Sequence, residues 1–164
     1  MFDKPLRILA INPGTKYLGI AILNGSDLRY WGIKVFKGKW SKEKANKIKR
    51  IVSGFIDDYD LNVLAVKKIH QSRTSKNLNN LVSKFKGLSR NKAVAFYQYS
   101  LKELRDYFSP GVKINKRQMT ELIVPRYPFL IYSFLKEKRN KNPYFIRMFE
   151  AIALGTRCFD QIDH

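Results

Sequence analysis

Apolar residues recur with two different periods along this chain, and the change of period separates predicted strands from predicted helices. Arg7 to Leu23 contains two runs rich in Ile and Leu around Pro13-Gly14, which predicts a strand, a tight turn and a second strand. Leu28 to Phe36 alternates apolar and polar positions and predicts a third strand. We therefore expect three antiparallel strands in succession. Asn12 lies at the end of the first one, beside the turn, and is a candidate site residue.

The middle of the chain alternates helices with strands. Apolar residues at three- and four-residue spacing predict an amphipathic helix beginning after Ser41 and a second one beginning after Ser75. Leu61 to Val66 and Ala93 to Tyr99 are short apolar runs that predict a fourth and a fifth strand. Because strands and helices alternate here, we expect these two strands to pair in parallel.

The last third is predicted to be helical with interruptions. Ser100 to Glu103 has the pattern of a capping box, and Asn115 is a candidate cap of a further helix. Lys136 to Asn142 predicts a charged, flexible joint, with Pro143 as a candidate first residue of the last helix. That helix carries Glu150 among apolar residues on its packed side.

Composition supports one folded domain and points to an anionic partner. A chain of 164 residues is long enough for one domain, and its 45% hydrophobic content indicates a folded globule. With the predicted strands and helices, we expect one α/β domain spanning residues 1–164. Its 32 Lys and Arg residues outnumber 13 Asp and Glu residues, so the formal net charge is +19. Such a charge repels itself unless an anion neutralises it, and nucleic acid is the expected partner.

Several classes of protein are excluded or disfavoured. Cys158 is the single cysteine, so an intramolecular disulfide and a multi-cysteine zinc site are excluded, and its apolar surroundings predict a core position. Asp57, Asp58 and Asp60 form an acidic cluster that we interpret as solubilising. Because no apolar run has membrane-spanning length and no signal-peptide pattern is evident, we expect no membrane partner and an intracellular location, cytoplasmic or DNA-associated.

Basic side chains in loops and on helix faces are the candidate nucleic-acid contacts, through neutralisation of phosphate charge. His70 follows the fourth predicted strand and is more typical of a loop or DNA-facing residue than of a catalyst. The candidate contacts are Lys16, Lys68, His70, Arg73, Lys76, Lys84, Lys86, Arg90, Lys116 and Arg117.

Three groups of residues together resemble the RuvC-like Holliday junction resolvases of the RNase H-like superfamily. Ile8 to Thr15, followed by Leu18 to Ala21 and Trp31 to Lys34, resembles the opening of these proteins. Val63 to Lys67 is similar to their fourth-strand motif, and Met148 to Leu154 to their closing helix. The resemblance spans nearly the whole chain. It implies an RNase H-like fold with a mixed five-stranded sheet, three antiparallel strands and then two parallel ones, flanked by helices.

The resemblance favours DNA over RNA as the partner and implies a two-metal phosphodiesterase that works as a homodimer, in which clustered carboxylates hold Mg²⁺. The first and second acid positions of that pattern are Asn12 and Lys67 in this chain, and Arg147 occupies a third. Glu150 matches a closing-helix acid. We therefore predict a degenerate catalytic site of Asn12, Lys67 and Glu150, in which Lys67 pairs with Glu150 in place of a metal ion. No metal and no cofactor are expected.

Three functions stay open. The first is a nucleic-acid-binding protein of RuvC-like descent that recognises branched or structured DNA without metal-dependent cleavage. The second is an active Mg²⁺-dependent junction endonuclease with rearranged ligands, using Glu150 with Asp160 or a substrate phosphate; otherwise Asp160 is assigned to the surface. The third is a structural RNA-binding or ribosome-associated protein, because Arg7 to Ile22 also resembles the opening of YqgF-type RNA nucleases.

Overall fold

A mixed sheet forms the centre of the computed structural model, which describes residues 5–140 and 144–163. The described residues form five strands in the order β3-β2-β1-β4-β5. The first three strands pair antiparallel, whereas β4 pairs in parallel with both β1 and β5. The predicted fold class is thereby confirmed. The strands are β1 Arg7–Asn12, β2 Tyr17–Asn24, β3 Asp27–Val35, β4 Val63–Lys67 and β5 Ala95–Tyr99.

Helices cover both faces of the sheet, and their predicted N-terminal caps are confirmed. The hydroxyls of Ser41 and Ser75 accept hydrogen bonds from backbone N–H groups in the first turns of their helices. Ser100 and Asn115 each form a capping box. The helices are α1 Lys42–Asp58, α2 Lys76–Asn91, α3 Leu101–Phe108, α4 Lys116–Ile123, α5 Ile131–Asn140 and α6 Tyr144–Asp163.

The sheet separates two hydrophobic cores, because successive side chains of a strand point to opposite faces. Leu9 and Ile11 of β1 pack against α1 and α2, whereas Ile8 and Ala10 pack toward α6. Each fully buried Ile or Leu contributes about 2 kcal/mol to folding. Cys158 of α6 is buried in the second of these cores, as predicted.

The fourth and fifth strands begin two residues later than predicted, for a local reason. Asp60 and Ala93 adopt left-handed backbone angles, with φ values of 50° and 55°. A residue in this region turns the chain, and the next residues, Leu61 and Val94, still donate backbone hydrogen bonds to the preceding helices, at Ile56 and Ser89. Apolar character alone therefore placed the predicted strand starts too early, at Leu61 and Ala93.

The predicted flexible joint is wrong for residues 136–140, which belong to α5. Glu137 is only 1% exposed, and its Oε1 accepts a hydrogen bond from Nη2 of Arg117 at 2.8 Å. An ion pair to α4 and the buried side chain of Phe134 fix this helix in place. Lys141, Asn142 and Pro143 lie outside the described residues. Within the described ranges, no helix has the length and apolar character needed to cross a bilayer.

Candidate functional site

The carboxyl ends of β1 and β4 bring Asn12 and Lys67 side by side beneath α6. Ala10 of β1 is aligned with Ala65 of β4, and both pack toward α6. Two residues further along, Asn12 and Lys67 point to the same face, because side chains alternate with a period of two. Parallel pairing and strand periodicity thus place the two predicted site residues together at one edge of the sheet.

Glu150 of α6 completes this cluster and is 2% exposed. Its Oε2 accepts a hydrogen bond from Nδ2 of Asn12 at 2.6 Å and from Nζ of Lys67 at 3.2 Å. Nζ of Lys116, the first residue of α4, lies 3.4 Å from Oε1. Oε1 has no hydrogen-bond partner with good geometry among the described residues, so the Lys116 contact is an ion pair only. Three elements therefore converge on one carboxylate.

The orientation of the Asn12 amide follows from its partners. Nδ2 also lies 3.3 Å from the backbone oxygen of Arg147. Both neighbours of this nitrogen are acceptors, so the amide donates to each of them. An aspartate here would place two carboxylates in direct contact, which is stable only when a proton or a cation lies between them.

The cluster carries an excess of positive charge. Burial lowers the pKa of the Lys67 ammonium, Glu150 opposes that shift, and the charges of Lys116 and Arg147 add to it. The Arg147 guanidinium lies over the ring of Tyr17, with its Cζ 5.4 Å from the centroid. Three cations less one carboxylate leave the cluster positive by two formal charges.

This arrangement does not fit Mg²⁺. Magnesium takes oxygen ligands and needs negative charge to replace its hydration shell. In residues 5–140 and 144–163, no three His, Cys, Asp or Glu side chains come together as a metal-binding group. Both oxygens of Glu150 face N–H donors or ammonium groups, and an ammonium group cannot coordinate a metal ion.

Comparison with known proteins identifies the architecture around this cluster. No family model and no curated protein matches the sequence. A Thermus thermophilus RuvC structure in complex with a Holliday junction substrate matches with a TM-score of 0.69 at 14% identity, over 96% of both chains. The chain has the RuvC-like RNase H fold. The resemblance noted in the sequence is confirmed at this level.

Two further structures with the RuvC-like fold match over most of their length. The yeast mitochondrial Holliday junction resolvase has a TM-score of 0.67 at 13% identity, over 98% of this chain and 81% of that chain. The fowlpox virus resolvase, in a complex with Holliday junction DNA, has a TM-score of 0.56 at 17% identity, over 96% of this chain and 99% of that chain.

Most of the predicted nucleic-acid contacts lie at the same edge of the RuvC-like sheet as the cluster. Lys116 belongs to the cluster itself. The Nδ1 atom of His70 accepts a hydrogen bond from the backbone N–H of Ser72 at 3.1 Å and so caps a short turn after β4. Five of the predicted contacts are exposed in the β1–β2 turn or between β4 and the first residue of α2, namely Lys16, Lys68, His70, Arg73 and Lys76.

The remaining predicted contacts are distributed elsewhere. Lys86 of α2 lines an open groove that also includes Lys68. Nζ of Lys84 lies 3.4 Å from Oδ1 of Asn46, and Arg117 holds the buried Glu137. Arg90 is about 20 Å from the start of α2, because a helix rises 1.5 Å per residue, and so lies at the opposite end of the sheet.

The surface assignment of Asp160 is wrong. Its carboxylate is buried and accepts hydrogen bonds from both terminal nitrogens of Arg126, at 3.0 and 3.1 Å, and from the hydroxyl of Tyr107. Ten residues along α6 separate Asp160 from Glu150, a rise of about 15 Å. These two acids cannot share a two-metal site, whose ions lie about 4 Å apart. Asp160 instead connects α6 to the preceding segments.

Proposed function

We propose that this protein binds branched or structured DNA and does not cleave it by a metal-dependent reaction. The observation that carries the proposal is the environment of Glu150, whose two oxygens face the amide of Asn12 and the ammonium groups of Lys67 and Lys116. A carboxylate held in this way is neutralised by the protein itself. Its Oε2 is already hydrogen-bonded, its Oε1 faces an ammonium group, and the surroundings lack the negative charge that divalent cations require.

The fold and the charge support DNA as the ligand. Solved proteins of this fold include two resolvases in complexes with Holliday junctions. The net charge of +19 and the exposed basic residues beside the cluster favour contacts with backbone phosphates. Such contacts release counterions, so binding weakens steeply as salt rises and does not depend on Mg²⁺. A four-way junction presents equivalent strands to a two-fold dimer, and we include a homodimer in the proposal.

The experiment compares binding and cleavage on the same labelled substrates. Fluorescence anisotropy gives the affinities for a four-way DNA junction, a DNA duplex of equal length, single strands and an RNA junction. These affinities measure the preference among DNA shapes and the preference between DNA and RNA. Each titration is run with MgCl₂ and with EDTA. We expect the DNA junction to bind at least about tenfold more tightly than the duplex. This preference is modest beside the roughly 10³-fold or greater preference of sequence-specific DNA-binding proteins for their sites. The affinities in MgCl₂ and EDTA should agree at matched ionic strength.

Three results would contradict this proposal, each in a different way. Equal, weak binding to every substrate at physiological salt would reduce the interaction to nonspecific charge attraction. Tighter binding to the RNA junction would favour a structural RNA-binding role. Cleavage of the labelled junction with MgCl₂ that is abolished by Glu150→Gln would show an active endonuclease with a different ligand set.

A further inference from the structure

We infer that Lys67 and Lys116 together hold one backbone phosphate of the bound nucleic acid directly, without a metal ion. The inference rests on the proposed function and names the ligand of the cluster around Glu150. A phosphodiester carries one negative charge and two non-bridging oxygens. Two ammonium groups fixed beside each other can bind both oxygens with charge-assisted hydrogen bonds.

The first support is the geometry of the two lysines. Nζ of Lys67 lies 3.2 Å from Oε2 of Glu150, and Nζ of Lys116 lies 3.4 Å from Oε1, so the two cations flank a single carboxylate. The carboxylate thus fixes two flexible side chains that come from β4 and α4. Less side-chain entropy is then lost when an anion binds, because the geometry is established in advance.

The second support is the number of donors that stay available. An ammonium group has three N–H donors and no acceptor. Each lysine directs one donor at most to Glu150, which leaves two on each for another ligand. The side chain of Lys67 is 17% exposed and that of Lys116 is 31% exposed, whereas Glu150 is buried behind them. An anion approaching from solvent therefore meets the ammonium groups before the carboxylate.

The third support is the local charge. Lys67, Lys116 and Arg147 outnumber Glu150, and partial burial reduces screening by water. Arg147 is turned toward the ring of Tyr17, at the β1–β2 turn beside the cluster. Its charge adds positive potential beside the two lysines, whereas the ion pairs of Glu150 among the described residues are with Lys67 and Lys116. A monoanion offsets part of the positive excess.

The test removes one cation and compares it with an equal change elsewhere. Lys116→Gln deletes the more exposed lysine of the cluster, and Lys47→Gln deletes an exposed lysine of α1, on the opposite face of the sheet. Junction affinity is measured by anisotropy at several salt concentrations. We expect Lys116→Gln to weaken binding about tenfold and to reduce the slope of log K against log[salt] by about 0.9, the value for one phosphate contact. Lys47→Gln should leave the affinity within about twofold of wild type and the salt slope unchanged.

A second variant and a modified DNA make the assignment specific. Lys67→Met/Glu150→Gln removes a cation and an anion together, so no buried charge is left unpaired. It should also weaken binding if Lys67 contacts phosphate. A set of junctions, each with one neutral methylphosphonate near the point of strand exchange, then locates the contact. One junction of this set, whose methylphosphonate replaces the contacted phosphate, should bind wild type about tenfold more weakly than unmodified junction does. Lys116→Gln should bind this modified junction and the unmodified junction with equal affinity.

The outcomes distinguish this inference from the proposed function. If wild type binds the junction and Lys116→Gln behaves like Lys47→Gln, the phosphate assignment is overturned and DNA binding stands. If wild type binds no nucleic acid, both are overturned. A phosphate-dependent rise in the Tm of wild type at constant ionic strength, absent in Lys116→Gln and without DNA binding, would assign the cluster to free phosphate instead and overturn the phosphodiester contact.

Discussion

Nδ2 of Asn12 donates a hydrogen bond to Oε2 of Glu150 across 2.6 Å, which joins the end of β1 directly to α6. At the first of these positions the resemblance to resolvases implies an acid that binds metal. In this chain the two side chains bind each other instead, and their contact continues to Lys67 at 3.2 Å from the same oxygen. Two protein donors from different strands thus share Oε2 of Glu150.

Acids at positions 12 and 67 should make folding stability depend on a divalent cation, whereas we expect no such dependence in wild type. Asn12→Asp/Lys67→Glu places three carboxylates where one is now neutralised, so like-charge repulsion should lower stability by about 3 kcal/mol, or roughly 10 °C in Tm, in EDTA. MnCl₂ should recover at least half of this loss. Thermal unfolding followed by circular dichroism measures both effects. An equal Mn²⁺ response in wild type would contradict the prediction.

The Lys67–Glu150 ion pair should show strong coupling in unfolding experiments. Glu150→Gln leaves the mostly buried ammonium of Lys67 without its anion and should reduce the free energy of unfolding by about 3 kcal/mol. Lys67→Met/Glu150→Gln should recover most of this loss, because it removes both charges. Urea titration of the four members of the cycle gives the coupling energy. Additive losses would mean that the two charges do not interact in the folded protein.

Close packing of β2 against α6 should make Gly19 intolerant of any side chain. A Cβ atom at this position would lie 2.3 Å from the backbone oxygen of Arg147, so Gly19→Ala should destabilise by about 3 kcal/mol. A Cβ atom at Gly54 of α1 would have no heavy atom within 4 Å outside its own helix backbone and chain neighbours, so Gly54→Ala should stabilise by about 1 kcal/mol through helix propensity. Urea unfolding of both variants checks the opposite signs. A neutral Gly19→Ala would show that α6 can move away from the sheet.

Burial of Cys158 should make stability depend on alkaline pH. Desolvation raises the pKa of its thiol from 9.0 to about 12. The unfolded chain then loses this proton at lower pH than the folded protein does, so the free energy of unfolding falls as pH rises from about 9 to about 12. Below that window the group has no effect. Urea titrations at several pH values in this window give the free energy of unfolding as a function of pH. The fall with pH should be less steep in Cys158→Ala than in wild type, by up to about 1.4 kcal/mol per pH unit. An unchanged slope would contradict the prediction.

The order of strands and helices and the pairing of Asn12 with Lys67 can be predicted from the sequence. The position of Lys116 depends on packing between helices, which no sequence pattern shows. Parallel pairing and strand periodicity are enough to bring Asn12 and Lys67 to one edge. Lys116 was predicted as a nucleic-acid contact, but its approach to Glu150 depends on how α4 packs on α6, which the loop before Asn115 does not reveal.

The burial of two carboxylates, Glu137 and Asp160, could not be predicted from the sequence either. Glu137 and Asp160 were expected in exposed surroundings, because charged residues are seldom buried unless they are paired. Their partners, Arg117 and Arg126, are 20 and 34 residues away in sequence, so the pairs could not be found from spacing. Asn12 and Lys67 could be placed together because they lie at the ends of two paired strands. No register of this kind relates α4, α5 and α6.

The core position of the single cysteine also makes the chain a convenient background for site-specific labelling. A thiol introduced at an exposed residue, for example by Gln71→Cys in the turn after β4, would be the one accessible to reagents on the native protein. A fluorophore attached there would report its distance from dyes placed on each arm of a DNA junction. The orientation of the bound DNA could then be measured without first replacing Cys158.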